Sequence, residues 1–473
     1  MTANETIHPT ATAPEIDASC RVPLLALLVG ASVWLVIGSV LALIASIKFH
    51  APDFLAACPL LTYGRVLPAA NDALVYGFCI PAALAVILWI FSRLSQTVFA
   101  LPVVPVVAAH LWHLGVLVGL GGILLGDTTG FTWLEFPRYG SVLLLAAFLL
   151  IAVSAVATFG YRRERTLYPS HWFLLASLLW FPWIYSSANI FLVAMPVRGV
   201  AQAVIDLWYG NNLLFVWASL VGLGIGFYFL PKLTGRPLQT YFYALYVFWT
   251  LILFGTWGGI PAGSPFPAWI PSLSYLAGWM LIIPVLGALI ILVKTLKGAP
   301  KCESMGGPLC FVKIGLISFI VSGLALHLTS CSPGLIRLTE FTWFGQAQAQ
   351  LEIFGVLAMT LFGAIYYILP KVLGFEFAFP GFAKGHFWLY LLGLALYILP
   401  LGAAGILQGL NFYKPESALP GLMASSAGLT LILIGNLLFA VNILAMFLSW
   451  KLSLVKMIFA AVTAPLKAAE VKP

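Results

Sequence analysis

Residues 343–374 read WFGQAQAQLEIFGVLAMTLFGAIYYILPKVLG, and the fold turns on how this stretch is understood. Between Gln346 and Leu369 it carries one formal charge, Glu352, before it closes on Pro370 and Lys371. A helix crossing the hydrocarbon core of a bilayer needs roughly 20 largely apolar residues, and this run supplies them. Three glutamines stand at alternate positions near its start, Gln346, Gln348 and Gln350. An uncharged amide costs less in lipid than an ion but still needs hydrogen-bond partners there. Such a cluster is either glue between helices or the edge of a site.

The rest of the chain has the same character. Of 473 residues, 62% are hydrophobic and 8% charged, with a mean hydropathy of +1.04. Soluble domains carry roughly 25% charged residues, so the composition is that of a polytopic membrane protein whose first partner is the bilayer. The net charge of +8 therefore reports topology and gives no ground for nucleic-acid binding. Six cysteines, at 20, 58, 79, 302, 310 and 331, lack any C-x-x-C spacing and read as unpaired thiols in or near a bundle. Cys58 and Cys331 fall in loops on one side, which leaves a disulfide between them open.

Residues 1–19 are polar and proline-bearing, and are expected to form a disordered cytoplasmic tail; they lack the basic start and early apolar region of a signal peptide. Twelve apolar spans follow within a membrane domain at 20–450, near 22–47, 72–94, 100–125, 139–160, 171–195, 206–230, 239–259, 273–294, 309–329, 346–369, 387–409 and 422–449. A second cytoplasmic tail is expected at 451–473. With both termini inside, 17 of the 23 Lys and Arg residues fall on the cytoplasmic side and 6 outside, as the positive-inside rule requires. The other loops are rich in aromatics, Gly and Pro, and none is long enough to form a soluble domain. One echo is internal: Tyr228-Phe229-Leu230-Pro231-Lys232 and Tyr367-Ile368-Leu369-Pro370-Lys371 each close a span at its cytoplasmic end. Convergence explains it, since Pro then Lys stops a helix at the headgroups; so does descent from a common frame.

The stretch at 345–371 resembles subunit I of the heme-copper oxidases, particularly the cbb-type cytochrome c oxidases. There the matching helix opens Gly-His-Val-His and ends near Tyr-Leu-Val-Pro-Lys; here Gly345-Gln346-Ala347-Gln348 and Tyr367 to Lys371 occupy those places. Further correspondences run from Leu61 to Leu410. Trp180-Phe181-Pro182-Trp183 with Ala188-Asn189 is similar to the fifth helix, and Trp208-Tyr209-Gly210-Asn211-Asn212 to Trp-Tyr-Gly-His-Asn. Phe248-Trp249 to Trp257-Gly258 follows the seventh helix, and His386-Phe387-Trp388 with Gln408-Gly409-Leu410 the eleventh. The resemblance implies an all-α, twelve-helix subunit-I bundle in a bacterial-type inner membrane. It also implies a site: family members hold two b-type hemes and a copper ion through imidazoles. The corresponding positions are Ala70, Asn211, Pro261 and Ala262 (within 260–263), Gln346 and Gln348, and the family's seventh-helix tyrosine corresponds to Gly255. No ligand expected from the family remains, so no cofactor is expected.

The seven histidines are His8, His50, His110, His113, His171, His327 and His386. His110 and His113, three apart on one helix face, form the one pair with metal-ligand spacing. The expectation is that neighbouring helices satisfy them, with displaced metal or heme ligation as the alternative. Among carboxylates, Glu352 lies within lipid depth, and Asp72 and Asp206 near span entrances. An ionisable group in a membrane is costly and hence a functional candidate. Glu352 shares a face with Gln348, so a polar pocket or proton path of Asn211, Asn212, Gln346, Gln348 and Glu352 is expected; a Glu352 that merely locks helices together is the bland counterpart. Phe344, Phe354, Trp249 and Phe254 are expected to fill space vacated by heme. Three functions follow. The first is a non-catalytic structural, assembly or proton-conducting subunit of a respiratory membrane complex, partnered by other membrane subunits, a ligand-complete oxidase subunit or a cytochrome c among them. The others are an active oxidase or nitric oxide reductase large subunit with displaced ligands, and a twelve-helix transporter.

Overall fold

Among the described residues, eleven helices are long and apolar enough to cross a bilayer. The computed structural model describes residues 11–164, 166–238, 241–260, 264–297 and 306–470. The long helices are α1 (Ala13–His50), α2 (Tyr63–Ser95), α3 (Val103–Leu125), α4 (Arg138–Gly160), α5 (Pro169–Ala194) and α6 (Val200–Thr234), then α8 (Trp269–Leu296), α9 (Pro308–Cys331), α10 (Trp343–Leu373), α11 (Pro380–Leu410) and α12 (Leu419–Glu470). The twelfth apolar helix, α7 (Tyr241–Gly255), has 15 residues and ends where the Gly- and Pro-rich segment 255–271 begins. Every expected span is thus a helix, and no strand occurs among the described residues.

Two boundaries move. Helix α1 starts at Ala13 behind a Thr12–Glu15 capping box, so residues 13–19, expected in a disordered tail, are helical. The reciprocal bonds of Thr12 and Glu15 satisfy first-turn N–H groups, a signal present in the sequence. At the other end α12 runs on to Glu470, into the segment expected as a tail.

The helices differ in what they bury. The most apolar windows of α2 and α6 are buried throughout and that of α10 is 89% buried, whereas α1, α3, α4, α5, α8, α11 and α12 bury half or less. A helix apolar all round belongs in a core or in lipid. Accordingly α2, α6 and α10 touch one another at the centre, and the remaining helices pack around them with an apolar face outward. Small residues permit the close approaches. A Cβ on Gly222 of α6 would lie 2.9 Å from Val356 of α10, and one on Gly315 of α9 would lie 2.1 Å from the Thr360 hydroxyl.

The two Pro-Lys closures meet in space. Trp89 of α2 stacks on Phe229 of α6 (6.1 Å between centroids, 6° between planes), and Tyr367 of α10 meets Phe229 edge-on at 5.4 Å. This end of the bundle carries Lys232 and Lys371. Toward the middle each central helix widens into a π-helical stretch, at 73–79, 212–217 and 351–358. Such stretches occur mainly at functional sites.

Candidate functional site: a polar chamber at the central helices

The three glutamines of α10 divide between two faces, as residues two apart on a helix must. Gln346 and Gln350 look toward α1, α2 and α11, where they line a cavity of about 40 Å³ with Asn71 and Tyr397. Gln350 is the buried one. Its Nε2 donates to Asn71 Oδ1 of α2 at 3.1 Å, and this amide clasp closes the gap between α2 and α10. Ala70, beside it, is fully buried. The flanking volume is aromatic: Phe354 meets Tyr397 edge-on, and Phe362 meets Phe78 and Tyr390. Sequence reasoning grouped Gln346 with Gln348 and passed over Gln350, although helical spacing alone puts Gln348 on the opposite face.

Gln348 opens onto a different space. A cavity of about 370 Å³ lies between α6 and α10, walled by Asp206, Asn211, Phe215, Gln348 and Glu352. A second of about 350 Å³ adjoins it, sharing Leu207, Gly259, Leu326, Gly345 and Gln348, and is walled further by Tyr275, Glu340 and Phe344. Glu352 is the most buried ionisable group in these two walls and is 3% exposed. Its Oε1 accepts from Ser322 Oγ of α9 at 2.5 Å, and its Oε2 has no partner. Asn211 Nδ2 donates to the Gly255 carbonyl at 2.8 Å, leaving its own oxygen as an acceptor. Neither cavity has Lys, Arg or His in its described wall.

Asn212 does not join this chamber. Its Nδ2 donates to the carbonyls of Trp208 and Thr256, and its oxygen accepts from Trp180 Nε1 at 3.2 Å. Of the aromatics expected to fill space, Phe354 is buried, Phe344 lines the second cavity and Phe254 is half-buried, but Trp249 is 58% exposed and packs outward against Trp172. Pro261 and Ala262 lie outside the described residues.

A cluster of carboxyl groups reaches the chamber through Asp206, at the end away from the lysines, and sequence reasoning missed its centre. Glu135, in the loop before α4, is buried beside Asp72 of α2, with Asp206 of α6 near it. Neither Asp72 oxygen has a donor, nor does Glu135 Oε2, so the pair can satisfy each other only when one carboxyl holds a proton. Burial pushes the Glu135 carboxyl up to about 7. Tyr209 donates to the Tyr76 hydroxyl at 2.5 Å, and Tyr76 donates to the Trp133 carbonyl at 2.6 Å. That bond pins Trp133, whose φ of +67° is unusual for a bulky residue, in the chamber wall.

The histidines go elsewhere. His110 is exposed on α3 and bonds the Val106 carbonyl of its own helix at 2.7 Å. His113 packs on Gly30 of α1 and bonds the Ala26 carbonyl at 3.2 Å. The two therefore turn to different backbone partners, one on its own helix and one on α1. His386 is enclosed by Phe311, Phe362 and Phe439 and bonds Tyr366 Oη at 3.1 Å. No group of three or more His, Cys, Asp or Glu among the described residues has metal-binding geometry. Cys58 and Cys331 are both free thiols.

This architecture is found in known proteins. The cbb3-type cytochrome c oxidase subunit CcoN1 of Stutzerimonas stutzeri is 26% identical over 439 residues, covering 88% of this chain and 90% of that one. A cytochrome c oxidase subunit 1 homolog of Azorhizobium caulinodans is 26% identical over 393 residues, covering 80% and 70%. Among solved structures, a heme-copper terminal oxidase dimer matches with a TM-score of 0.74 at 13% identity, over 90% of this chain and 84% of that one. The helix arrangement is therefore that of the oxidases, and the transporter fold drawn from the number of spans is set aside. The family model for cytochrome c and quinol oxidase polypeptide I matches residues 22–412, and with the three central helices disposed as described, the chain belongs to that family.

Proposed function

We propose that this protein is a non-catalytic subunit of a respiratory membrane complex, an oxidase subunit-I bundle that has lost the side chains that bind heme and copper. The observation that carries the reading is the Asn71–Gln350 clasp. Two amides join α2 to α10 beside Ala70 and Gln346, two positions where the family resemblance calls for imidazole, and the space left there is about 40 Å³. That is room for a few water molecules at most, far below the roughly 300–1,000 Å³ of ordinary ligand pockets. Carboxamide nitrogens are hydrogen-bond donors without an available lone pair and do not replace the imidazoles that hold heme iron. The residues present do not fit the cofactors of the family. The chamber on the other face of α10 is instead a polar, hydrated pocket with Glu352 at its floor.

Orientation follows from the basic residues. The Pro-Lys end faces the cytoplasm of a bacterial inner membrane, with both termini inside, and the chamber opens toward the outer side. Partners are other membrane subunits, a ligand-complete oxidase subunit or a cytochrome c among them. The absorption spectrum and metal content of the protein purified from its native membrane test the reading. Colourless protein without iron or copper is the expected result. Heme b bands in stoichiometric amount overturn it.

A further inference from the structure

The two adjoining cavities lie against α6 and α10, and their walls are chemically one-sided. Their charged groups are carboxyls, with Asp206 and Glu352 in the inner cavity and Glu340 in the outer. Asp206 Oδ1 and Glu352 Oε2 are buried without a hydrogen-bond partner. The amide of Asn211 turns its N–H to Gly255, which leaves the oxygen as the free group. Set against these acceptors are aromatic faces, Phe215 within and Tyr275 and Phe344 nearer the mouth. No cation of the described chain stands in either wall. Acceptors and ring faces together leave the chamber without the positive partner that both kinds of group attract.

We propose that the chamber is a binding site for a protonated primary amine carried on a compact apolar body. The ammonium sits against Glu352, whose Oε2 is buried without a partner, with Asp206 in the same cavity wall adding its charge, and the apolar body lies along Phe215 and Leu214. A buried carboxylate is costly until a cation arrives, and a buried ammonium is costly until it meets a carboxylate. Each partner therefore removes the other's penalty, and an uncharged analogue of the same shape gains nothing from the acids. The amine has two sources, a free small molecule entering at the mouth or the headgroup of an aminophospholipid. The proposal rests on the reading that heme does not fill this space.

The test uses the full-length protein in detergent, with its absorption spectrum recorded first. Calorimetric titration with phenethylamine and with the uncharged, isosteric 2-phenylethanol compares charge at nearly constant shape. Nanodiscs containing phosphatidylethanolamine or only phosphatidylglycerol then separate the sources: the aminophospholipid competes with phenethylamine if the headgroup is the natural occupant, and a free amine is the occupant if it does not. Saturable binding of the amine, about tenfold or more tighter than the alcohol, is expected. Asp206→Asn and Glu352→Gln each weaken it by about tenfold. Gly345→Phe provides a variant that leaves the acids intact. A Cβ at Gly345 meets nothing within 4 Å, so the ring projects into space shared by both cavities and abolishes binding without disturbing the fold. Equal binding of the two compounds, no saturation, or binding indifferent to all three variants overturns the proposal. If the protein carries heme, the amine fails to bind and the heme bands assign the failure to the functional reading.

Discussion

The amide clasp between α2 and α10 makes the sharpest prediction, because it exists only if nothing occupies the gap between those helices. Asn71 is 6% exposed and Gln350 is 2% exposed, and their single bond is 3.1 Å long. Asn71→Leu keeps the shape of the side chain but strands the Gln350 amide, whose Oε1 is already without a partner. Gln350→Met does the converse to Asn71. A buried polar group left without its partner costs about 1–3 kcal/mol, while interhelical hydrogen bonds in membranes average about 0.6 and reach about 1.7 kcal/mol. Each single variant should therefore lose about 1–2 kcal/mol. The double variant, apolar on both sides, should lose less than the sum, with a coupling of about 1 kcal/mol. Reversible unfolding in mixed micelles, followed by tryptophan fluorescence, gives the three differences. Additivity within about 0.3 kcal/mol would refute the reasoning, because the amides would then not be in contact and the gap would be open to something larger.

Three further outcomes follow from the same geometry. Ala70→His combined with Gln346→His or Gln350→His should acquire no heme bands when the cells are supplied with heme, since imidazoles are restored but the space between them is not; a low-spin heme spectrum would contradict this. His110→Ala should change stability by less than about 0.5 kcal/mol, whereas His113→Ala, which removes the bond to Ala26, should cost about 1–2 kcal/mol in the same unfolding assay. Glu135 supplies the pH dependence. Burial raises its folded value to about 7 from an ordinary 4.5, so the folded state binds the proton more tightly than the unfolded one. Its stabilising contribution is present in full below pH 4.5 and is lost as pH rises through 7. The melting temperature should therefore fall between pH 5 and pH 8, and Glu135→Gln should flatten that slope.

Most of the fold was legible in the sequence because bilayer-length apolar runs leave few alternatives to helices. What periodicity could not supply was which helices lie at the centre. The continuous burial of α2, α6 and α10 sets them apart, and the family motifs at Ala70, Asn211 and the glutamines fall on those three. The site was legible only in outline. Gln348 and Glu352 share a helix face by spacing, and the structure puts both in one wall with Asn211. Asn212 sits one residue further along α6, about 100° around the helix, and turns instead to Trp180. Glu135 gave no signal, for an acid in a loop is ordinarily solvated; only the fold brings it under cover beside Asp72. The boundary of α1 was misread because a polar segment with prolines was weighed by composition, while its Thr12–Glu15 capping box was not.

A π-turn advances by roughly 87° per residue against the 100° of an α-helix, so across the eight residues 351–358 the two ends of α10 are rotated relative to each other by about a quarter turn. The glutamine half and the Tyr-Pro-Lys half therefore keep separate registers, joined by a buried segment that absorbs the difference. One half is free to be rewritten without dragging the other out of phase, which is how a bundle can exchange the chemistry at its middle and leave its ends in place.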